Sequence, residues 1–318
     1  MLTGHTFYLE QEVALMIWIQ SHINQAAVKA ASLITLFGED LIIIAILGFI
    51  YWSYDKEYGK YIGTNIVLVN VLNPLMKNAA LRRRPYLDHA KIKCLKPVDS
   101  SADIRDISAQ GYSFPSGHSM NAAAVYGSMA RYRKKPGSAP GKILVFIFSI
   151  LMPLLVGISR FTLGVHYPTD VLAGWACGLA VIFLVPWLMS KCKNRYILWG
   201  FFCLLGAIGF FYCKTTDYYT GYGLMLGFFL GTAFEERYVH FENTDSLPLG
   251  LARLVGGIAI YLVLNTLLKL PFSADLLESA TFTAYLIRTV RYFIVVFVMI
   301  GVYPMVFGRL KGNLTQSS

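Results

Sequence analysis

Residues 168–190 read PTDVLAGWACGLAVIFLVPWLMS, and after Asp170 this stretch contains no charged residue before it ends at Ser190. A helix rises about 1.5 Å per residue, so roughly 20 consecutive apolar residues cross the hydrocarbon core of a bilayer. The stretch therefore predicts a transmembrane helix that begins at Pro168, because proline is favoured in the first turn of a helix. A chain with one such span is a membrane protein, and its other apolar runs are interpreted on that basis.

The composition of the whole chain agrees with a membrane location. Of its 318 residues, 56% are hydrophobic and 14% are charged, and the mean hydropathy is +0.53. Soluble globular proteins carry about 25% charged residues, so this chain is too apolar for that class. The polar stretches between the apolar runs are short. We therefore expect one membrane-embedded unit without an aqueous domain.

The net charge of +10 does not indicate a nucleic-acid partner. The basic residues stand in short loops beside apolar runs, a pattern that is typical of membrane orientation and of contact with lipid headgroups. The sequence also contains no motif that binds DNA or RNA. The expected partner is therefore the bilayer and not nucleic acid.

The apolar runs predict an all-α, polytopic membrane bundle. Residues 1–38 mix apolar and polar side chains, which suits an interfacial or re-entrant helix. Residues 39–190 form the core, and residues 191–318 add about three to four spans and a short tail. The predicted spans cover approximately residues 40–54, 61–81, 116–130, 142–161, 168–190, 196–213, 219–233, 249–270 and 284–307.

The distribution of basic residues predicts the orientation of the bundle. Most of them stand in loops at one end of the spans, and the positive-inside tendency makes this end cytoplasmic. A competing basic loop, residues 82–105, lies at the opposite, extracytoplasmic end, where its charges can serve a ligand. The residues at the cytoplasmic end are Lys56, Lys60, Arg131, Arg133, Lys134, Lys135, Lys142, Lys191, Lys193 and Arg195.

The first group of candidate site residues lies at the end of the second span, where Lys77 is followed by Arg84 and Pro85. In a continuous helix, residues seven apart stand on one face, roughly 10 Å apart along the axis. Arg84 precedes proline and therefore prefers an extended backbone, which would take it off the helix end. The alternative interpretation is that Lys77 and the arginines 82–84 merely extend to lipid headgroups.

The second group is residues 112–118, YSFPSGH, which open the third span. Pro115 suits a helix start, and the small Ser116 and Gly117 let a ligand approach the backbone. Free amides at a helix start bind anions, and the hydroxyl of Ser116 adds a donor. His118 follows in the first turn. The alternative is an ordinary proline-glycine helix start with a capping serine and an incidental histidine.

The third group consists of Ser159 and Arg160 at the end of the fourth span, and of His166 and Asp170 around the start of the fifth. Asp170 can accept a hydrogen bond from one imidazole nitrogen and leave the other nitrogen with a free lone pair. A histidine oriented in this way is a nucleophile or a base. The alternative is that Asp170 is only an anion at a helix N-terminus and His166 a loop residue.

The three groups are more informative together than apart. All lie at helix ends that the span count places at one membrane face. A charged group in a membrane protein is costly unless it has a partner or a role. Phosphate is the natural partner for Lys77, Arg84 and Arg160, because it carries up to about two negative charges at neutral pH. The sequence therefore predicts that these helix ends form one phosphate-binding site.

The residues in these groups resemble the type 2 phosphatidic acid phosphatase superfamily. Its motifs are Lys, six residues, Arg-Pro; then Pro-Ser-Gly-His; then Ser-Arg, five residues, His, three residues, Asp, and this chain matches all three without a gap. The resemblance covers about residues 40–190. It implies a six-helix phosphatase core and an integral membrane enzyme that hydrolyses a lipid phosphate monoester or diphosphate.

The resemblance also implies a role for each matched residue. His166 would attack phosphorus and form a phosphohistidine, Asp170 would fix its tautomer, and His118 would protonate the leaving alkoxide. No metal and no cofactor is expected, because side chains supply the cations that stabilise the transferred phosphoryl group. The residues implied to bind the substrate are Lys77, Arg84, Ser116, Gly117 and Arg160.

Other functions use the same kind of site. An undecaprenyl (polyprenyl) diphosphate phosphatase is one alternative, and a non-catalytic member that binds or transports phospholipids is another, although a degenerate motif would favour the latter. Vanadate-dependent haloperoxidases share the site but are soluble, and a sugar phosphatase resembling glucose-6-phosphatase is less favoured. The single chain with extra spans after Lys191 is similar to bacterial members. This predicts a multi-pass protein of the bacterial cytoplasmic (inner) membrane with its active site on the extracytoplasmic face.

Overall fold

The computed structural model describes residues 4–131 and 139–307, apart from the side chains of residues 139–142. Within these ranges the chain forms helices and no β-strand, so the predicted all-α fold is confirmed; an isolated bridge pairs His5 with Arg82. Some parts of the prediction lie outside the described residues: the basic residues Arg133, Lys134 and Lys135, the side chain of Lys142 and the tail after Gly312.

The described residues form fourteen α-helices. The first seven are α1 Glu10–His22, α2 Gln25–Ile34, α3 Asp40–Phe49, α4 Lys56–Ala80, α5 Pro85–Asp88, α6 Ile107–Gln110 and α7 Gly117–Arg131. The others are α8 Ala139–Thr162, α9 Pro168–Lys191, α10 Arg195–Ala207, α11 Thr216–Phe234, α12 Leu247–Leu267, α13 Ala274–Glu278 and α14 Phe282–Phe297. Short 3-10 or π-helical segments cover residues 35–38, 50–54, 208–211, 235–239, 298–302 and 303–306.

Several of these helices are suited to crossing a bilayer. In the described part of the chain, four are long and apolar enough: Ile143–Thr162, Pro168–Lys191, Leu247–Leu267 and Phe282–Val306. The pair Gln25–Gly38 and Asp40–Tyr54 passes the same test when it is counted as one broken span. The predicted multi-pass membrane bundle is thereby confirmed.

The chain divides into two compact units. The first contains Met1–Ile43, Leu72–Lys193 and Ile208–Thr215, and the second contains Ile44–Val71, Asn194–Ala207 and Thr216–Ser318. Every predicted site residue belongs to the first unit. The division predicted from the sequence, at residues 38 and 190, was based on motifs and apolar runs and stays a prediction.

Local sequence places the helix ends of the first unit as expected. Arg84 has an extended backbone with φ −74° and ψ 150°, as the following proline predicts, and it precedes α5. Pro168 is the first residue of α9, so His166 stands just before that helix and Asp170 in its first turn. At the N-terminus, Asn24 caps α2 by accepting a hydrogen bond from the amide of Ala27 at 2.9 Å, which separates α2 from α1.

Two glycines of α9 allow it to pack closely against α7. A Cβ atom on Gly174 would lie 2.6 Å from the carbonyl oxygen of Ser116, and one on Gly178 would lie 2.7 Å from that of Met120. Small residues of this kind let transmembrane helices approach to backbone contact. The amide of Ser116 accordingly donates to the carbonyl oxygen of Asp170 at 3.0 Å, so the N-terminal ends of both helices lie side by side.

The turn between α8 and α9 also depends on a glycine. Gly164 has φ +79°, and a Cβ atom there would lie 2.1 Å from the carbonyl oxygen of Lys93. The amide of Val165 donates back to the carbonyl oxygen of Arg160 at 3.2 Å. The chain therefore reverses within a few residues and brings His166 close to the end of α8.

The second unit contains a charge network in which two neighbouring glutamates pair with basic residues that the sequence places at the cytoplasmic end. Glu235 is fully buried and pairs with Lys56 at 2.8 Å. Glu236 pairs with Lys60 and with Arg195, each at 2.8 Å. The carboxylates face lysines and an arginine, so the arrangement is that of a structural ion-pair cluster.

The contact between α7 and α9 can be tested with an alanine substitution. Gly178→Ala is expected to lower the stability of the detergent-solubilised protein by about 1–3 kcal/mol, because the new methyl group meets backbone atoms. Thermal unfolding measures the effect. Gly200 is the matched control, since no atom of the described residues lies within 4 Å of a Cβ atom there. Gly200→Ala is expected to leave stability unchanged or raise it by about 0.5–1 kcal/mol. Equal effects of both substitutions would contradict the proposed packing role.

Candidate active site

The three motifs come together at adjacent helix ends of the first unit. The predicted residues are Lys77 in the last turn of α4, Arg84 beyond it, Ser116, Gly117 and His118 at the start of α7, Arg160 in the last turn of α8, and His166 and Asp170 at the start of α9. The contacts below connect them into one site.

His166 stands at the centre of these contacts and is only 2% exposed. Its Nδ1 lies 3.5 Å from Oδ2 of Asp170 and 3.4 Å from Oγ of Ser113. Its Nε2 lies 3.4 Å from Nη1 of Arg84. The two ring nitrogens therefore face different partners, a carboxylate and a hydroxyl on one side and a guanidinium on the other.

The protonation of His166 follows from these surroundings. Burial lowers the pKa of His166 well below its usual range, and the positive charges of Arg84, Arg160 and Lys77 lower it further. The imidazole is therefore neutral at physiological pH and retains one lone pair. A neutral ring is the form that can act as a nucleophile.

Asp170 has more partners than the sequence indicated. Its Oδ1 accepts from Nη1 of Arg82 at 2.6 Å, and its Oδ2 accepts from Oγ of Ser113 at 2.5 Å and from the amide of Tyr167 at 2.8 Å. The carboxylate is completely buried. Because so many donors hold it, the orientation of Asp170 beside His166 is tightly determined.

Arg84 points into the protein and not to the lipid headgroups. It donates to the carbonyl oxygen of Gln110 through Nη2 at 2.6 Å, to that of Gly111 through Nε at 3.0 Å and to that of Val165 through Nη1 at 2.8 Å. Arg82 and Arg84 are 1% and 2% exposed. The interpretation of these two arginines as headgroup contacts is therefore wrong, because the loop folds back and supplies their partners.

Arg160 is buried with part of its guanidinium unsatisfied. Nη1 donates to Oγ1 of Thr35 at 2.7 Å, whereas Nε has no hydrogen-bond partner within the described residues. The residue is 2% exposed. Buried N–H groups are almost always hydrogen-bonded, so a guanidinium with such a group is unusual among these residues.

The start of α7 is held by neighbouring side chains. The hydroxyl of Ser116 accepts from Oγ of Ser119 at 2.9 Å, and its amide is already used by Asp170. Asn73 donates to the carbonyl oxygen of Pro115 at 3.1 Å. The Ser116 amide, one of the polar groups expected to bind an anion here, is therefore already occupied by the contact between α7 and α9. The Ser116 hydroxyl still has its own proton to donate.

His118 has a carboxylate partner that the sequence analysis did not identify. Nε2 of His118 lies 4.0 Å from Oε1 of Glu39, which pairs with Nζ of Lys96 at 2.8 Å. The His118 side chain is 24% exposed, so it is more accessible than His166. The two histidines therefore differ in both access and partner.

The residues that sequence reasoning missed contact the motif residues from distant parts of the chain. Glu39 stands at the junction between two apolar runs, and a lone carboxylate at such a junction was the available signal. Arg82 was grouped with its neighbours because nothing local separates it from Arg84. The missed residues are Glu12, Glu39, Arg82, Lys96, Gln110 and Ser113.

The charge of the site is positive. The cations that act on His166 are the side chains of Arg84, Arg160 and Lys77. In the ranges that the structure describes, no three His, Cys, Asp or Glu side chains are grouped so as to hold a metal ion. The arrangement therefore presents protein cations and a neutral histidine to an anionic ligand.

Comparisons with known proteins place the chain in a family. Residues 58–194 match the PAP2 superfamily, and residues 219–316 match the PAP2 superfamily phosphatase, transmembrane extension. The chain is 36% identical over 158 residues to phosphatidylglycerophosphatase B of Bacillus subtilis, covering 48% of this chain and 68% of that protein. It is 30% identical over 175 residues to decaprenylphosphoryl-5-phosphoribose phosphatase of Mycobacterium tuberculosis, covering 54% of this chain and 86% of that protein.

A solved structure gives a further comparison. The crystal structure of a transmembrane PAP2 type phosphatidylglycerolphosphate phosphatase from Bacillus subtilis has 30% sequence identity and a TM-score of 0.45, covering 58% of this chain and 87% of that one. The family predicted from the motifs is confirmed by the sequence matches. The chain belongs to the PAP2 superfamily of phosphatases and is a multi-pass membrane protein.

Proposed function

We propose that this protein is an integral membrane lipid phosphatase that hydrolyses a lipid phosphate monoester or diphosphate through a phosphohistidine at His166. The observation that carries the proposal is the buried His166, whose Nε2 lies 3.4 Å from Nη1 of Arg84, within the field of Arg160 and Lys77. A nucleophile surrounded by cations is suited to an anionic electrophile. Phosphate monoesters and diphosphates are such electrophiles in a membrane.

The first step is attack by His166 on phosphorus. Asp170 and Ser113 lie beside Nδ1, which favours the tautomer with its proton on Nδ1 and leaves the lone pair on Nε2. The Nε2–P bond forms as the bond from phosphorus to the lipid oxygen breaks. The imidazole becomes positively charged, and the carboxylate of Asp170 stabilises that charge.

His118 transfers a proton in both steps. It donates a proton to the departing lipid oxygen, and in the second step it accepts a proton from the water that attacks phosphorus and releases phosphate from His166. Glu39, 4.0 Å from Nε2 of His118, supports the protonated ring electrostatically. Lys96 holds Glu39 in place at 2.8 Å.

The arginines and Lys77 stabilise the charge that spreads over the phosphoryl oxygens in the transition state. Arg160 contributes its Nε, which has no hydrogen-bond partner in the part of the chain that the structure describes, and Arg84 is fixed by backbone carbonyl groups before the ligand arrives. Cations fixed in this way need little reorganisation during the reaction. Ser116 and Gly117 add donors at the start of α7. The proposed reaction is therefore independent of metal ions.

Phosphatidylglycerol phosphate is the first candidate substrate, because phosphatidylglycerophosphatase B shares 36% identity with this chain. A polyprenyl phosphate or diphosphate is the second candidate, since the name of the mycobacterial relative describes a decaprenylphosphoryl compound. The intact motifs and the neutral His166 favour an enzyme over a phospholipid-binding member without catalysis.

We further infer an extracytoplasmic active site in a bacterial inner membrane. The site lies at the N-terminal ends of α7 and α9, which are adjacent through the bond from Ser116 to Asp170. Arg131 and Lys191 stand at the opposite ends of the same helices. Basic residues favour the cytoplasmic side, so the site faces away from the cytoplasm.

His166→Ala is expected to lower phosphate release by the purified protein on the order of 10⁴-fold or more, because it removes the nucleophile. Phosphate release is measured with phosphatidylglycerol phosphate, phosphatidic acid, sphingosine phosphate and undecaprenyl diphosphate. In the unsubstituted protein, labelled phosphate is expected on protein in an acid-labile bond that this variant lacks. Turnover by the folded variant would argue against the mechanism. Loss of activity of the unsubstituted protein in EDTA, with recovery only when magnesium is added, would also argue against it.

His118→Ala is expected to slow phosphorylation of the protein by lipid phosphates about 10²–10⁴-fold but to affect phosphorylation by an aryl phosphate much less, because a phenolate leaves without an acid. The single-turnover rate at which phosphoenzyme forms from a lipid phosphate and from p-nitrophenyl phosphate measures the difference, since the later attack of water is common to both substrates. His22→Ala, at an exposed histidine of α1, serves as the control. Equal losses on both substrates would exclude the role of His118 as an acid.

The orientation is tested with thiol labelling in intact cells. In a cysteine-free background, Ser101→Cys in the exposed loop is expected to react with a membrane-impermeant maleimide. A second variant that retains only Cys192, just after α9, is expected to react only after the cells are opened. The reverse pattern would place the active site on the cytoplasmic face.

A further inference from the structure

Asp170 is one end of a buried chain of charges that reaches the N-terminal helix α1. Arg82 donates to Oδ1 of Asp170 through Nη1 and to Oε1 of Glu12 through Nη2, each at 2.6 Å. Glu12 is 4% exposed and Arg82 1% exposed. Two carboxylates from different helices therefore share one guanidinium out of contact with water.

Arg82 is held in a single orientation. Its Nε donates to the carbonyl oxygen of Phe7 at 2.8 Å, and its guanidinium carbon lies 4.6 Å from the ring centre of Phe7 and 4.0 Å from that of Tyr167. The backbone beside it is also fixed, because the amide of His5 donates to Leu81 at 2.7 Å. Such a guanidinium acts as a rigid link between its two carboxylates.

Glu12 also holds the start of α9 directly. Its Oε2 accepts from Oγ1 of Thr169 at 2.6 Å and from the amide of Thr169 at 3.1 Å. A carboxylate at a helix N-terminus satisfies a free amide and interacts favourably with the helix dipole. Burial alone would raise the pKa of Glu12, but the hydrogen bonds from Thr169 and Leu9 and the charge of Arg82 lower it, so Glu12 stays ionised.

We propose that Glu12 and Arg82 are positioning residues for the nucleophile, and that α1 is therefore a functional part of the phosphatase site. Glu12 precedes residue 58, where the match to the PAP2 superfamily begins, so this contribution comes from outside the matched region. The inference rests on His166 being the nucleophile.

The sign of the charges explains how Glu12 acts. Glu12, Arg82 and Asp170 together carry one net negative charge, and Asp170 is the member that lies beside the imidazole, 3.5 Å from Nδ1 of His166. This charge stabilises the ring when it becomes positive on phosphorylation. Without Glu12, Arg82 and Asp170 form a neutral pair, so the stabilisation of the phosphorylated ring is weakened. Thr169 would also lose its anchor, so the start of α9 would become less well ordered.

Glu12→Gln keeps the size of the side chain and removes its charge. It is expected to lower kcat on the order of 10–100-fold with little change in KM, because the geometry and charge around the reacting histidine change while the phosphate-binding arginines remain. The rate at which labelled phosphate appears on the protein in a single turnover is expected to fall by the same factor. Glu12→Asp, which keeps the charge, is expected to retain more activity than Glu12→Gln.

Glu10→Gln is the matched control, since it removes the same charge two residues earlier in α1 from an exposed position. It is expected to leave kcat unchanged. Unchanged kcat in Glu12→Gln, or equal losses in Glu12→Asp and Glu12→Gln, would overturn the positioning role. Thr169→Val, which removes one anchor of Glu12, provides the test if Glu12→Gln does not fold, and it is expected to lower kcat in the same way.

The experiment separates this inference from the proposed function. If His166→Ala abolishes turnover and Glu12→Gln does not change it, only the role of α1 fails. If His166→Ala retains turnover, the proposed nucleophile fails first and the positioning role fails with it.

Discussion

Among the described residues of the first unit, three guanidinium groups are buried, and a buried cation is tolerated only when its donors have acceptors. Arg82 meets two carboxylates, a hydroxyl and a carbonyl oxygen. Arg84 meets backbone carbonyl groups, which satisfy its donors without cancelling its charge. Arg160 meets one hydroxyl and retains an unpartnered Nε among the described residues. The remaining features of the site follow from this difference in partners.

An arginine that is paired with carboxylates and an arginine that is paired only with uncharged acceptors have different effects on the site. Arg82 is compensated by acids and therefore serves as an internal link that orders Asp170. Arg84 and Arg160 keep a positive field directed at His166; burial lowers the pKa of that ring, and this field lowers it further. The same field that keeps the histidine neutral also attracts an anionic substrate. Substrate attraction and histidine neutrality therefore have the same cause, because a cationic site without its ligand favours the neutral imidazole, which is the nucleophilic form.

Close helix packing makes this arrangement possible. The glycines of α9 bring its backbone against α7, so the polar groups at both N-terminal ends share one small volume. The turn at Gly164 then returns the chain toward Arg160. Each of these contacts uses the absence of a side chain, and the contact at Gly174 is with the carbonyl oxygen of the site residue Ser116. The first helix, α1, contributes Glu12, which accepts a hydrogen bond from the amide of Thr169, 157 residues later in the chain.

The amino-acid sequence alone determined the membrane character, the helical class, the ends of α7 and α9, and the extended backbone at Arg84, because each of these depends on neighbouring residues. It also identified the motif residues, since their types and spacing are local. It did not reveal which of the adjacent arginines turns toward which partner: Arg82 meets Asp170 across 88 residues, and Glu39 meets Lys96 across 57. Only the tertiary structure decided these pairings, because the partner of a buried charge is selected by how distant helices pack, and no local preference encodes that choice.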